Sequence, residues 1–299
     1  MKPVPPKYLI LSGGGVKVVS IVGAMKALET SGLLTQLKEI SGVSAGAWLA
    51  FMISAGLSIE TLESLVLEFE FSHIRNLNPE ALMTFPETLG IDDGTNLIKF
   101  LESIFRVAIK ISPTVTFSEF NALNLSKIKF RCWATDLKEY TTCEFSLEKT
   151  PNVRIIDALR ASMALPLYFT PVIHPITGNL LSDGGIQGSL PIHALTETER
   201  ENCIGIGFSQ DSEKKNPTDL MSFMTSLFSC LIHSRHEIIL SKWYSSIIKI
   251  PTYNTASWDF EISREDRIKL VKNGYEAGLQ WISNKYAGAR KILRRHSVQ

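Results

Sequence analysis

A serine with glycine two residues to either side, Gly42-Val43-Ser44-Ala45-Gly46, stands between the short run Lys38-Glu39-Ile40-Ser41 and the helix-like segment Ala45 to Ala55. No other stretch constrains the fold as much. Where a strand turns sharply into a helix at a serine, bulky flanking side chains would collide as the backbone doubles back, and Gly42 and Gly46 avoid that collision. Such a turn exposes the hydroxyl and sets it beside backbone N–H groups at the positive end of a helix dipole, where an oxyanion can be held. Ser44 is therefore a candidate nucleophile. A Gly/Ser-rich turn that only caps a helix has the same composition, so the pentapeptide needs support from elsewhere in the chain.

The segment before it has a related design. Tyr8-Leu9-Ile10-Leu11 reads as a buried strand, Gly13-Gly14-Gly15 ends it, and Val16 to Thr30 carries helical spacing up to a stop signal at Gly32. Strand, glycine loop, helix, second strand and second helix make a βαβα opening, which predicts an α/β fold with a parallel sheet covered by helices. Amides of the glycine loop can point at an anion from the start of a helix. A P-loop is excluded because Lys17 is followed by Val18, and a dinucleotide fingerprint is excluded because Val18 stands where it needs glycine.

Composition removes several functions. The 31 Lys and Arg against 30 Asp and Glu give a net charge of +1, which creates no field for nucleic acid. Cys132, Cys143, Cys203 and Cys230 form no C-x-x-C pair and have no histidine at metal-ligand spacing, so no metal or cofactor is expected and a reduced, intracellular protein is. No secretory signal is read at the N-terminus and no run of about twenty apolar residues is present, so the expectation is a soluble or peripherally membrane-associated protein. The 299 residues, 44% hydrophobic, suit one domain with an insertion.

Along the remainder, amphipathic helices are predicted over Ile59–Phe71 and Thr95–Ile109, with irregular chain over 72–96. This Leu-, Phe- and Met-rich block is either ordinary core or a mobile cover over an apolar slot. Ile128–Thr135 and Thr141–Leu147 read as a hairpin, Arg154–Ala164 as a helix, and Val172-Ile173-His174 and Leu180-Leu181 as short strands. Cys203–Phe208 and Ile247–Ile250 read as buried strands. Leu220–Leu240 and Arg264–Lys285 read as helices, and residues 287–299 as a basic tail that is either a solvated end or a segment attracted to anionic lipid.

Acyl transfer by serine also needs a base. His73, His174, His193, His233, His236 and His296 are all candidates, and none lies in a telling motif. Asp183 follows an apolar pair and precedes Gly184 and Gly185, an arrangement that projects a carboxylate from a strand end with room beside it. Taken together, Ser12-Gly13-Gly14-Gly15-Val16-Lys17, Gly42-Val43-Ser44-Ala45-Gly46 and Asp183-Gly184-Gly185 resemble the patatin-like phospholipases. Ala24-Met25-Lys26-Ala27-Leu28-Glu29 and the run from Ala158 to Pro166 are similar to family segments as well.

That resemblance implies a three-layer α/β/α fold with a mostly parallel central sheet flanked by helices. The catalytic core would span residues 7–210, with a helical insertion at about 59–127 and residues 211–286 completing the same domain. It further implies a Ser-Asp dyad, with Ser44 as nucleophile and Asp183 as base. Gly13, Gly14, Gly15 and Val16 would form the oxyanion hole, with Lys17, Gly42, Gly46, Gly184 and Gly185 in support. The expected substrate is a phospholipid or other glycerolipid, cleaved at an acyl ester without calcium, with peripheral membrane contact. Ser12 and Val18 depart from the family pattern, where Asp and Gly are usual. Val18 leaves open an inactive lipid-binding protein, and a Ser-His-Asp α/β-hydrolase is a further alternative.

Overall fold

A computed structural model describes residues 5–76, 81–209, 241–253 and 255–296, together with 216–218, 223, 226–227, 230 and 238–239. In chain order the first elements are β1 (Tyr8–Leu11), a 3-10 turn (Gly15–Val18), α1 (Val19–Thr30), β2 (Glu39–Val43), α2 (Ala45–Ser54) and α3 (Ile59–Glu68). Next come α4 (Ala81–Thr88), β3 (Gly90–Asp92), α5 (Thr95–Ser103) and α6 (Phe117–Leu123). Then follow β4 (Lys129–Asp136), β5 (Thr141–Ser146), α7 (Ile155–Ser162), β6 (Leu167–Phe169), β7 (Val172–Ile173) and β8 (Leu180–Asp183). The last are α8 (Glu197–Glu201), β9 (Cys203–Phe208), β10 (Ile247–Ile250) and a C-terminal helix, Arg264–His296.

The main sheet has the order β10-β9-β1-β2-β4-β8-β7, with β5 also on β4. Its strands β10, β9, β1, β2 and β4 are parallel, and β5, β8 and β7 are antiparallel to their neighbours. β1 is apolar throughout because both its faces are covered. Leu9 and Leu11 join the large core with α1, α2 and the C-terminal helix, while Ile10 packs on the other face with Val43, Trp133, Leu190 and Ile192. The result is the three-layer α/β/α arrangement with a mostly parallel sheet.

The register on β4 determines where the chemistry sits. Lys129 to Trp133 pair with β2, Ala134 to Asp136 pair with β8, and β5 pairs along Arg131 to Asp136. A strand has two edges, so β2 and β8 share the edge opposite β5. They run in opposite directions and meet end to end, with Val43 opposite Trp133 and Asp183 opposite Ala134.

Several expectations change in detail. The helix expected from Val16 opens as the 3-10 turn, and the one expected to reach Ile109 becomes π-helical over Ile104–Ile109. The stretch expected to be irregular holds α4 and β3, because Gly90–Asp92 finds a partner in Leu167–Phe169 that is remote in sequence. The last helix does not stop at Lys285 but runs to His296. Most of Gln210–Pro217 and of Leu220–Leu240 lies outside the described residues, as do the side chains of the basic tail.

Candidate active site

Ser44 links β2 to α2 with φ 54° and ψ −134°, a conformation that costs a non-glycine residue roughly 1–3 kcal/mol. The surrounding packing enforces it. A Cβ on Gly42 would lie 2.5 Å from the carbonyl of Gly46, and one on Gly46 would lie 2.5 Å from the Ser12 carbonyl oxygen. Both glycines of the pentapeptide are therefore steric requirements of the elbow. The Ser44 N–H donates to Ser162 Oγ at 2.9 Å, and Ser162 Oγ donates to the Trp133 carbonyl at 2.6 Å. Ser162, fully buried at the end of α7, thus ties the elbow to β4. Sequence reasoning quoted this residue only within a longer segment. Its one local signal is a serine closing an otherwise apolar helix face.

Asp183 arrives from the other side at the end of β8. It is 4% exposed, its Oδ1 accepts the Gly185 N–H at 2.7 Å, and its Oδ2 closes no hydrogen bond. Burial raises its pKa to about 6, while the Ser44 hydroxyl and the Gly185 N–H act to lower it. The hydroxyl is thus near enough to influence the carboxylate without completing a bond to Oδ2. Gly184 allows the approach to β4, since a Cβ there would fall 2.3 Å from the Trp133 carbonyl oxygen.

The glycine loop lies against the same elbow, with a Gly13 Cβ position 3.0 Å from Ser44 Cβ. Two of its amides are engaged: Gly13 N–H donates to the Ser189 carbonyl at 2.9 Å and Val16 N–H to the Ser257 carbonyl at 3.0 Å. Those of Gly14 and Gly15 donate to no described residue. Gly15 has φ +54°, and a Cβ there would overlap the Ser257 carbonyl. Lys17 follows, half-buried, and burial lowers its pKa. Val18 has φ −59° and ψ −20°, which valine adopts freely, and its side chain is fully buried in the core.

From Ser44 an apolar slot of ≈ 70 Å³ runs between Gly15, Val16, Trp48, Phe71, Ile74, Leu97, Phe100, Met163, Leu165, Phe169, Ser257 and Phe260. Residues 71–100 come from the block in which a cover was considered; Met163–Phe169 and Ser257–Phe260 were not foreseen. Of the histidines, His73 and His193 are exposed. His174 Nδ1 accepts the N–H groups of Ile176 and Thr177, so it organises a turn. Among the described residues no cluster of metal-ligating side chains occurs, and no helix is long and apolar enough to cross a membrane.

Known proteins resemble this chain in sequence and in fold. The chain is 28% identical over 288 residues to "Uncharacterized protein R571" of Acanthamoeba polyphaga mimivirus, covering 92% of this chain and 93% of that one. It is 26% identical to "Probable lipid hydrolase 463L" of Invertebrate iridescent virus 6, covering 82% and 76%. It is also 27% identical to the human patatin-like phospholipase domain-containing protein 6, over 73% of this chain and 14% of that much longer one. In fold it resembles VipD from Legionella pneumophila, with a TM-score of 0.61 at 18% identity, covering 95% of this chain and 68% of that one. The effector ExoU gives 0.52 at 14% identity, covering 95% and 54%. The family model for patatin-like phospholipases matches residues 9–196, which span both the elbow serine and the buried aspartate, and the chain belongs to the patatin-like phospholipase family.

Proposed function

We propose that the protein is a lipid acyl hydrolase that cleaves fatty acyl esters of phospholipids or other glycerolipids with Ser44 as nucleophile and Asp183 as base. The observation that carries this reading is the end-to-end meeting of β2 and β8, which sets a strained serine beside a desolvated carboxylate with a free Oδ2. As Ser44 Oγ attacks the ester carbonyl, Asp183 Oδ2 takes its proton. The carbonyl oxygen becomes an oxyanion facing the amides of the glycine loop. Collapse expels the alcohol, which takes the proton from Asp183 and leaves an acyl-enzyme. Water then attacks the acyl carbon, again giving its proton to Asp183, and as the fatty acid leaves Asp183 returns that proton to Ser44 Oγ, which restores both groups. The apolar slot suits an acyl chain, and a short peripheral contact with lipid would deliver it.

The alternative of a lipid-binding protein without turnover rested on Val18. Its ordinary backbone angles remove the reason to expect a distorted loop there. A fluorophosphonate probe separates the two readings. It should label wild-type protein at Ser44, and fatty acid should be released from phospholipid in the presence of a calcium chelator. Ser44→Ala should lose both. Folded wild-type protein that resists labelling and releases no fatty acid would refute hydrolysis.

A further inference from the structure

Beyond the level of Ser44 and Asp183 the sheet continues into two hairpin tips, residues 137–140 between β4 and β5 and residues 174–179 between β7 and β8. We propose that these tips form a face that docks in the headgroup layer of a lipid surface. The inference rests on the hydrolase reading for its purpose, but its test does not need turnover.

Position comes first. Asp183 pairs with Ala134, so the β4 turn begins three residues further on and Leu180 lies three residues before the carboxylate. At about 3.4 Å per residue the 137–140 tip stands roughly 10 Å past the site along the strand direction, while the 174–179 turn folds back beside it, with buried His174 stacked on Phe145 at 5.4 Å. The tips expose Tyr140 (82%) and Ile176 (65%), and Ile173 (67%) is exposed at the end of β7 beside them. The tips are joined to each other: Leu137 N–H donates to the Leu180 carbonyl at 2.9 Å, and Asn179 Nδ2 to Asp136 Oδ2 at 2.9 Å.

Most of their N–H groups are satisfied internally. Lys138 and Glu139 N–H groups both donate to Asp136 Oδ1 at 3.0 Å, and those of Ile176 and Thr177 donate to His174 Nδ1 at 3.0 and 3.3 Å. Gly178 N–H closes on the His174 carbonyl at 3.0 Å. Irregular chain is normally kept out of apolar surroundings by its unpaired amides, and these turns have removed much of that cost. What they offer outward is side chain.

The partner follows from chemistry and place. The apolar slot opens from Ser44 at this same end of the sheet, and the loop after β10 exposes Tyr253 and Trp258 there, residue types that favour the water–lipid boundary. Lys138 and Glu139 oppose each other in charge, so adhesion through the tips is apolar and insensitive to salt.

The test is sedimentation with phosphatidylcholine vesicles, with and without phosphatidylserine, in low and high salt. Wild-type protein is expected to bind both vesicle types at either salt concentration. Ile173→Glu/Ile176→Glu should lose at least tenfold in binding and in fatty acid release from vesicles, while hydrolysing a water-soluble short-chain nitrophenyl ester within about twofold of wild type. Leu279→Glu, an exposed change on the C-terminal helix, should behave as wild type. Wild-type protein that does not bind, undiminished binding by the double variant, or an equal loss in Leu279→Glu overturns the proposal. So does binding only to vesicles with phosphatidylserine at low salt, or a wild-type dimer that the double variant converts to monomers. If the soluble ester is not hydrolysed by wild type yet vesicle binding still depends on Ile173 and Ile176, the docking face stands and the hydrolase reading falls.

Discussion

Asp183 titrates near 6 because its surroundings withhold water, with no like-charged neighbour acting on it. In the proposed reaction only the ionised form accepts the serine proton, so kcat/KM for a soluble ester should rise with pH through about 6 and level off above. Stability should follow the opposite course. The folded pKa lies above the unfolded value, so protonation favours the folded state. Below about pH 4 the group is neutral in both states and adds no penalty; the penalty grows as pH rises through about 6 and is complete above it. Its ceiling is roughly 3 kcal/mol. Asp183→Asn should therefore abolish turnover yet raise the urea midpoint at pH 7, with the gain vanishing near pH 4. A variant that is equally destabilised at both pH values would contradict this account.

At the scale of elements, the elbow shows why some of the fold was legible and some was not. β9 could be read to the residue because Cys203–Phe208 carries no charge, the sign of a strand covered on two faces, and β10 because three isoleucines flank its one lysine, Lys249. β3 and β6 could not, since each is three residues long and exists only through its partner 77 positions away (Gly90 with Leu167). The glycines at 42 and 46 were legible as a pair because the elbow excludes side chains on both. Ser162 was not, because its role depends on α7 ending against β2 and β4. This gives a graded expectation. Gly46→Ala puts a methyl against backbone atoms of β1's end and should cost upwards of about 1–3 kcal/mol, with activity lost. Gly32→Ala meets nothing within 4 Å and strains only φ +71°, so it should cost about 1 kcal/mol and leave activity intact. Chemical denaturation of the two variants measures the difference.

Across the whole molecule, the two ends of the sheet do different work. At the end remote from the elbow, Arg131 bonds both Glu39 and Glu199 (2.6 Å to the latter), linking β2, β4 and α8. All three side chains are largely buried, and burial raises Glu39 to about 6 despite the guanidinium. Removing one partner of such a group leaves uncompensated charge, so Arg131→Met should cost about 3–5 kcal/mol while leaving KM for a soluble ester unchanged. Equal loss of stability and of substrate affinity would instead couple this end to the site. None of this network was visible in sequence, where the three residues lie up to 160 positions apart (39 to 199).

One contact at the other end bears on the whole cycle. Before any lipid arrives, Val16 N–H already holds a carbonyl oxygen, that of Ser257. In the proposed reaction an ester carbonyl needs amides of this loop; those of Gly14 and Gly15 donate to no described residue, whereas the Val16 amide already has a competitor from the stretch after β10 that exposes Tyr253 and Trp258. To the extent that Val16 takes part, substrate affinity is then multiplied by the fraction of molecules in which that stretch has let go. Because the competitor is a backbone group, no side-chain deletion removes it; only movement of the loop does, and a lipid surface that draws Trp258 outward would raise turnover without touching the chemistry.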